Sequence, residues 1–265
     1  KWISICLKAI KKQNISDIEV VLVDNNSTDM TVQKAIQEYP NLILVTITNF
    51  LPGLAINKGI RASSGEFIAI LSAHCIPTDE NWLSKLKANL TDNNVAGVYG
   101  RQIPLNATSP EDTRDLLITF GLDHRIQIKD SFFHNANSMI KRSTWQQYPF
   151  DEDVTNIEDR IWGQKIISSG LKIAYEPEAS VYHHHGIHQK GDKSRLENVV
   201  RILNEYEILK SNKTNFPNNP EFQEVCAIIP LRANNDGVDS DLLFVQETIN
   251  AVKKSKYINQ ESRML

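Results

Sequence analysis

Three groups of residues have types and spacings suited to chemistry. Glu158 and Asp159 are adjacent carboxylates, with Trp162 close behind them. If they open a helix, its dipole and free backbone N–H groups stabilise them as anions. The alternative sends one carboxylate into a cleft as a general base, which needs partial desolvation and a proton within reach. His183, His184, His185 and His188 put four of the seven histidines within six residues. On a strand, His183 and His185 share one face. Two imidazoles on one face suit a divalent metal or a diphosphate, and a solvated loop is the competing reading. His74 ends a different apolar run, and taken alone it is as well explained as an ordinary histidine.

These groups must be carried by an alternating framework. Residues 2–12 space Trp2, Ile5, Cys6, Ala9 and Ile10 as a helix does. Residues 18–23 form a short β-branched run that stops at Asp24-Asn25-Asn26-Ser27. A helical pattern through Val32, Ala35 and Ile36 comes next, then a strand at 42–47, a helix at 53–62 and a strand at 66–71. Such alternation predicts an α/β fold with a mainly parallel sheet and helices on both faces. Ligands of these sheets bind beyond the carboxyl ends of the strands, where Asp24–Ser27 and Ser72–His74 fall. Further on, the pattern predicts a helix at 81–90 and a strand at 95–102. It then predicts a helix at 158–169 that stops at Gly170, and strands at 172–175 and 180–182 split by Pro177. Residues 194–210 form an amphipathic helix, read as packing on its own domain or as a partner or membrane face.

Composition narrows the function. The chain has 265 residues, 41% hydrophobic and 23% charged, as folded globular proteins do. With 29 Lys+Arg against 32 Asp+Glu the net charge is −3, which argues against nucleic-acid binding through bulk charge. Cys6, Cys75 and Cys226 are too few and too scattered for a disulfide framework, so a reducing cytosol is the expectation. No apolar run reaches the ~18 residues of a membrane helix. Glycine-rich phosphate loops, a serine-nucleophile elbow and zinc-finger spacing are all missing. The chain opens at Lys1 in a helical pattern, which reads as a fragment.

The order of segments resembles family 2 glycosyltransferases of the GT-A fold. Asp24-Asn25-Asn26-Ser27-Thr28-Asp29 resembles the Asp-rich turn after their second strand. Asn49 through Gly53-Leu54-Ala55-Ile56-Asn57-Lys58-Gly59-Ile60 resembles their Asn-x-Gly-x-x-x-Ala-x-Asn-x-Gly stretch. Residues 62–71 resemble the strand that delivers their Asp-x-Asp motif. Phe150-Asp151-Glu152 and then Glu158-Asp159 resemble their acceptor-side motif. Val181-Tyr182-His183-His184-His185 resembles the Val-x-His-x-His that closes the catalytic region.

The resemblance implies transfer of a sugar from a nucleotide-diphosphate donor to a hydroxyl of a glycan or lipid-linked glycan, usually with inversion. Asp159 would be the general base and Glu158 its support. Asp24, Asn26, Asn57, Ser72 and His74 would face the donor, with Asn137 and Trp162 on the acceptor side. Two departures stand out. Ser72-Ala73-His74 replaces the Asp-x-Asp motif, so any metal would rest on His74, His183 and His185. Nitrogen ligands favour Mn²⁺ over Mg²⁺, and a metal-independent site is the alternative. The family's first strand should also precede Trp2 and is not in the chain.

Beyond an Asn/Pro-rich linker at 212–224, Ala227-Ile228-Ile229-Pro230-Leu231-Arg232 resembles the Ile-Ile-Pro-Ala-Arg opening of cytidylyltransferases that make CMP-activated acidic sugars. Asn234-Asn235-Asp236 stands where they have Gly-Gly-Ser. The expected organisation is an N-terminally truncated GT-A domain at 1–211, the linker, and the truncated start of a nucleotidyltransferase-like domain at 225–265. The expected setting is bacterial surface-glycan synthesis in the cytoplasm, at the inner membrane face by peripheral association. The competing readings are a silent sugar-nucleotide-binding module and a piece of a bifunctional protein whose second activity is the cytidylyltransferase.

Overall fold

The first helix, α1 (Trp2–Lys11), buries Ile3, Cys6 and Leu7 along one stripe. Leu7 and Ile3 pack on Ala35 of α2 (Thr31–Glu38). Between the two helices runs β1 (Val21–Asp24), which pairs in parallel with β2 (Ile43–Thr46) from Val21↔Ile43 to Asp24↔Thr46. A proline in its first turn starts α3 (Pro52–Ala62), where the missing N–H costs nothing. It leads to β3 (Phe67–Leu71). The computed structural model describes residues 2–186 and 193–206, all within the first of the two units into which the chain divides, Lys1–Asn212. The linker and the cytidylyltransferase-like tail, and His188, lie outside the described residues.

The remaining elements are β4 (Ile76–Pro77), α4 (Trp82–Ala88), β5 (Val95–Pro104), α5 (Pro110–Thr119), β6 (Arg125–Gln127), β7 (Asn137–Lys141), α6 (Arg142–Gln147), α7 (Glu158–Ser168), β8 (Lys172–His183) and α8 (Lys193–Glu205). The larger sheet has the order β3-β7-β5-β8-β4, with β6 also on β8. The parallel pairs are β1–β2 and the long β5–β8 ladder. The sheet is mixed, because β7 enters antiparallel between β3 and β5, and β4 and β6 lie antiparallel on β8.

Helices cover both faces. One core gathers Phe133, Phe150, Trp162, Ile166 and Tyr175 around β5 and β7. The other packs Trp82, Leu86 and Leu90 against Val98, Met139 and Val181. Gly163 lets α7 close on the sheet layer, since a Cβ there would overlap the Ser131 carbonyl. The helix α8 buries Ile202 beside Val154 and Ile161, so the amphipathic helix packs on its own domain. Pro177 does not split the last strand. Instead the β5–β8 register shifts between Gly100↔Glu176 and Gln102↔Val181. An irregularity of this kind bends a strand and re-aims the residues beyond it.

The two sheets are not hydrogen-bonded to each other. The edges of β1 and β3 line one cleft of about 690 Å³, together with Ala55 and Gly59 of α3 and Leu83 of α4. Val21, Leu22 and Val23 are only half-buried, and Ala69, mid-strand in β3, is exposed.

Candidate active site

The pairings make β3, β5 and β8 run the same way, so their carboxyl ends share one edge. Beyond β3 the chain turns at Ser72, whose carbonyl accepts from the Cys75 N–H at 2.8 Å. It returns as β4 along the end of β8, pairing Ile76↔Tyr182. This reversal brings His74 to His183, with their Nε2 atoms 3.0 Å apart and the rings stacked at 5.0 Å. His185 completes a triangle, 4.7 Å from His74 and 4.5 Å from His183 between ring centroids. Thr108 Oγ1 donates to the His184 carbonyl at 3.0 Å and fastens this run to the loop after β5. Gly186 is required here, because a Cβ would press on Asp112 at the start of α5.

Behind the triangle lies a buried polar frame. His183 Nδ1 is 2.7 Å from Gln102 Oε1, and Gln102 Nε2 is 3.0 Å from His134 Nδ1. The Ala136 N–H donates to the same His134 nitrogen at 3.3 Å. Burial, reinforced by the neighbouring imidazoles, pulls the His74 pKa down to about 4 and that of His183 to about 2. Both rings are therefore neutral at physiological pH and offer lone pairs.

These residues fit a divalent cation. Two ligand bonds of ~2.1 Å at a right angle set nitrogens ~3.0 Å apart, which matches His74 and His183. Cys75 Sγ lies with these two rings in a cluster whose ligand atoms all fall within 4.8 Å of one another. Burial pushes its thiol pKa up while no ion is bound, but a coordinated cation would itself deprotonate the thiol. Cys75 is therefore a third donor candidate, and His185 is not a member of this ligand-atom cluster.

The carboxylates sit on the same frame. Residue Ile157 takes the left-handed conformation (φ 58°) just before α7. A β-branched residue rarely does so, and strain of this kind concentrates at functional sites. It aims the first turn of α7 at the loop before β7. There the Asn135 N–H donates to Asp159 Oδ2 at 3.2 Å, and Asn135 Nδ2 donates to Glu158 Oε1 at 3.0 Å. Asp159 Oδ1 accepts the Arg160 N–H at 2.8 Å. Glu158 is buried and Asp159 half-buried, so Asp159 is the more accessible of the two. The helix-start reading and the cleft reading thus describe the same pair. His134 and Asn135 are consecutive, so one frame spans from Asp159 to His74.

Other expected site residues are placed differently. Asp24 ends β1 and accepts the Ser27 N–H at 2.9 Å and the Ser27 hydroxyl at 2.5 Å, with Asn26 exposed and left-handed (φ 55°) in that turn. Asn57 is buried and its amide is saturated. It donates to the Phe150 carbonyl and Glu152 Oε1, and accepts from Trp145 Nε1 and the Phe150 N–H. That leaves nothing for a donor, so Asn57 ties α3 to residues 145–152. Asn137, expected beside the acceptor, is fully buried. It accepts from Trp82 Nε1 and donates to the Arg101 and Ala179 carbonyls. Trp162 is a core residue whose indole donates to the Tyr148 carbonyl at 2.8 Å. Gln102, His134 and Asn135 are site residues that sequence reasoning misses. Gln102 could be signalled by a polar side chain inside an otherwise apolar strand pattern, whereas His134 and Asn135 lie in a loop, where polar residues carry no such signal.

The mixed α/β sheet, with its ligand-facing groups along one carboxyl edge, fits the GT-A class of glycosyltransferase folds. The fold is shared with a mannosyltransferase from Pyrobaculum calidifontis solved with GDP-mannose and Mn²⁺ (TM-score 0.58, 20% identity, 82% of this chain and 62% of that one). The family model for glycosyl transferase family 2 matches residues 1–148, and the chain belongs to that family. It is 29% identical over 188 residues to the O-antigen chain rhamnosyltransferase WbaN of Salmonella anatum, covering 67% of this chain and 60% of that protein. It is 27% identical over 192 residues to RfbN of Salmonella typhimurium, also an O-antigen chain rhamnosyltransferase, covering 68% and 61%. The chain thus spans about three fifths of the length of these curated relatives.

Proposed function

We propose that this chain carries the catalytic domain of an inverting glycosyltransferase that extends a bacterial surface glycan. The observation that carries the reading is the frame, hydrogen bonds on either side of the consecutive residues His134 and Asn135, that links Asp159 to the imidazole triangle at one sheet edge. Asp159 takes the proton from the acceptor hydroxyl. The oxygen forms its bond to the anomeric carbon from the face opposite the leaving group, and the bond from that carbon to the diphosphate oxygen breaks. Glu158 and Asn135 hold Asp159 in place. Asp24 uses two of its lone-pair sites on Ser27 and keeps others for the ribose or base of the donor. His74, His183 and His185 would hold a divalent cation, Mn²⁺ in preference to Mg²⁺, which neutralises charge gathering on the diphosphate.

The named relatives support a surface-polysaccharide acceptor, and the mannosyltransferase solved with Mn²⁺ supports the metal. We place the acceptor on a lipid carrier and the protein at the cytoplasmic face of the membrane by peripheral contact. The exposed Leu117 and Ile118 of α5, and Leu122 shortly after it, are the apolar side chains that would make this contact. No helix among the described residues is long and apolar enough to cross a membrane.

The test is nucleoside diphosphate release from dTDP-rhamnose, UDP-sugars and GDP-mannose, with a lipid-linked glycan acceptor and Mn²⁺. One donor should turn over. Asp159→Asn should cut turnover by at least ~10³-fold with donor affinity within about threefold. Donor binding without release from any of them would instead make the chain a silent module.

A further inference from the structure

We propose that Gln102 is a positioning residue that fixes His183 in the tautomer with its proton on Nδ1, leaving the Nε2 lone pair aimed at His74. Gln102 sits just past the β5–β8 register shift and is 1% exposed. The hydrogen-bond logic starts from a group that cannot reverse. The Ala136 backbone N–H only donates, so His134 Nδ1, which it meets at 3.3 Å, is unprotonated. The Gln102 group 3.0 Å from that nitrogen must then be the donor, which is the amide N–H₂. This orients the amide, and Oε1 is the atom 2.7 Å from His183 Nδ1. An amide oxygen only accepts, so Nδ1 bears the proton. A neutral imidazole carries one proton, and Nε2 is therefore bare.

That bare nitrogen lies 3.0 Å from His74 Nε2. It can accept from His74 or, with His74 in its other tautomer, join it in holding a cation. A ligand histidine characteristically gives its second ring N–H to an outer partner that sets the tautomer, and here that partner is a neutral amide. The tautomer follows from the hydrogen bonds alone. Its consequence for metal binding rests on the proposed glycosyltransferase function.

Long-range ¹H–¹⁵N spectra of the histidine rings, with the whole chain and no metal, test the tautomer. The expected result is protonated Nδ1 and bare Nε2 for His183, and the reverse assignment overturns the proposal. Calorimetric titration with Mn²⁺ alone then tests the consequence. Gln102→Leu should weaken binding about 10–100-fold. Gln102→Glu keeps an acceptor opposite His183 Nδ1 but gives up the N–H donated to His134, so it should keep the parent's His183 tautomer and bind Mn²⁺ more tightly than Gln102→Leu. Equal affinity in the parent and the Leu variant would remove the positioning role. A parent that shows the expected tautomer but binds no Mn²⁺ sinks the metal reading and leaves the tautomer assignment standing. If Gln102→Leu does not fold, the parent spectrum and the Glu variant decide.

Discussion

Among single residues, the imidazole pair has a consequence for stability. His74 and His183 are neutral when folded, with pKa values lowered to about 4 and about 2, whereas an unfolded histidine titrates near 6.5. Below that value the unfolded chain binds protons that the folded chain refuses. Their contribution to stability is therefore complete above about pH 6.5 and is lost as pH falls toward about 4 and below. Carboxylates such as Asp79 and Asp151, whose pKa values are lowered, lose their contribution at more acidic pH. We expect the urea midpoint to drop between pH 7.5 and pH 5. We expect His74→Asn to flatten that drop, and a parent midpoint that does not move would contradict the burial of neutral rings.

At the scale of elements, the most consequential side chain is Asn57. Its four hydrogen bonds join α3 to Trp145 of α6 and to the loop that leads through Phe150 toward α7. Asn57→Ala would leave the Trp145 indole N–H and the Phe150 backbone groups without their partner, at about 1–3 kcal/mol for a buried group left unmade. We expect a loss of about 2–4 kcal/mol in urea unfolding, with donor affinity in the folded variant unchanged. Weakened donor binding at unchanged stability would return Asn57 to the donor site, where the family pattern places it.

The whole molecule is held together unevenly. The β1–β2 pair is joined to the larger sheet by packing and by α3, while two strand edges face one apolar cleft. Unpaired edges leave backbone N–H and C=O groups to water, and a two-stranded sheet is marginal by itself. A strand between β1 and β3 would pair both edges and would be covered by helices on both faces. We expect a chain extended before Trp2 by about 10–15 residues, one apolar strand and its loop, to melt at a higher temperature. Equal melting temperatures would show that the cleft does not take a strand.

The sequence by itself determined the alternation of helices and strands, because apolar spacing repeats locally and needs no knowledge of the partner. It also carried the family resemblance, of which Asp24–Asp29 and residues 49–60 fall within the stretch that the family model matches. The chemical candidates Asp159, His74 and His183 were legible because their side chains can exchange protons or bind cations and they fall where the local pattern ends a strand or starts a helix. Only the tertiary structure decided which polar residues face a site. Asn57, Asn137 and Asn135 are alike as letters and all buried, and only their partners separate them: the first two bond core tryptophans and backbone, while Asn135 holds Glu158 and Asp159. The frame through Gln102 and His134 joins residues from β5, β8 and the loop before β7. Contacts between such distant segments depend on register and on the shift before Gln102, and no local spacing encodes them.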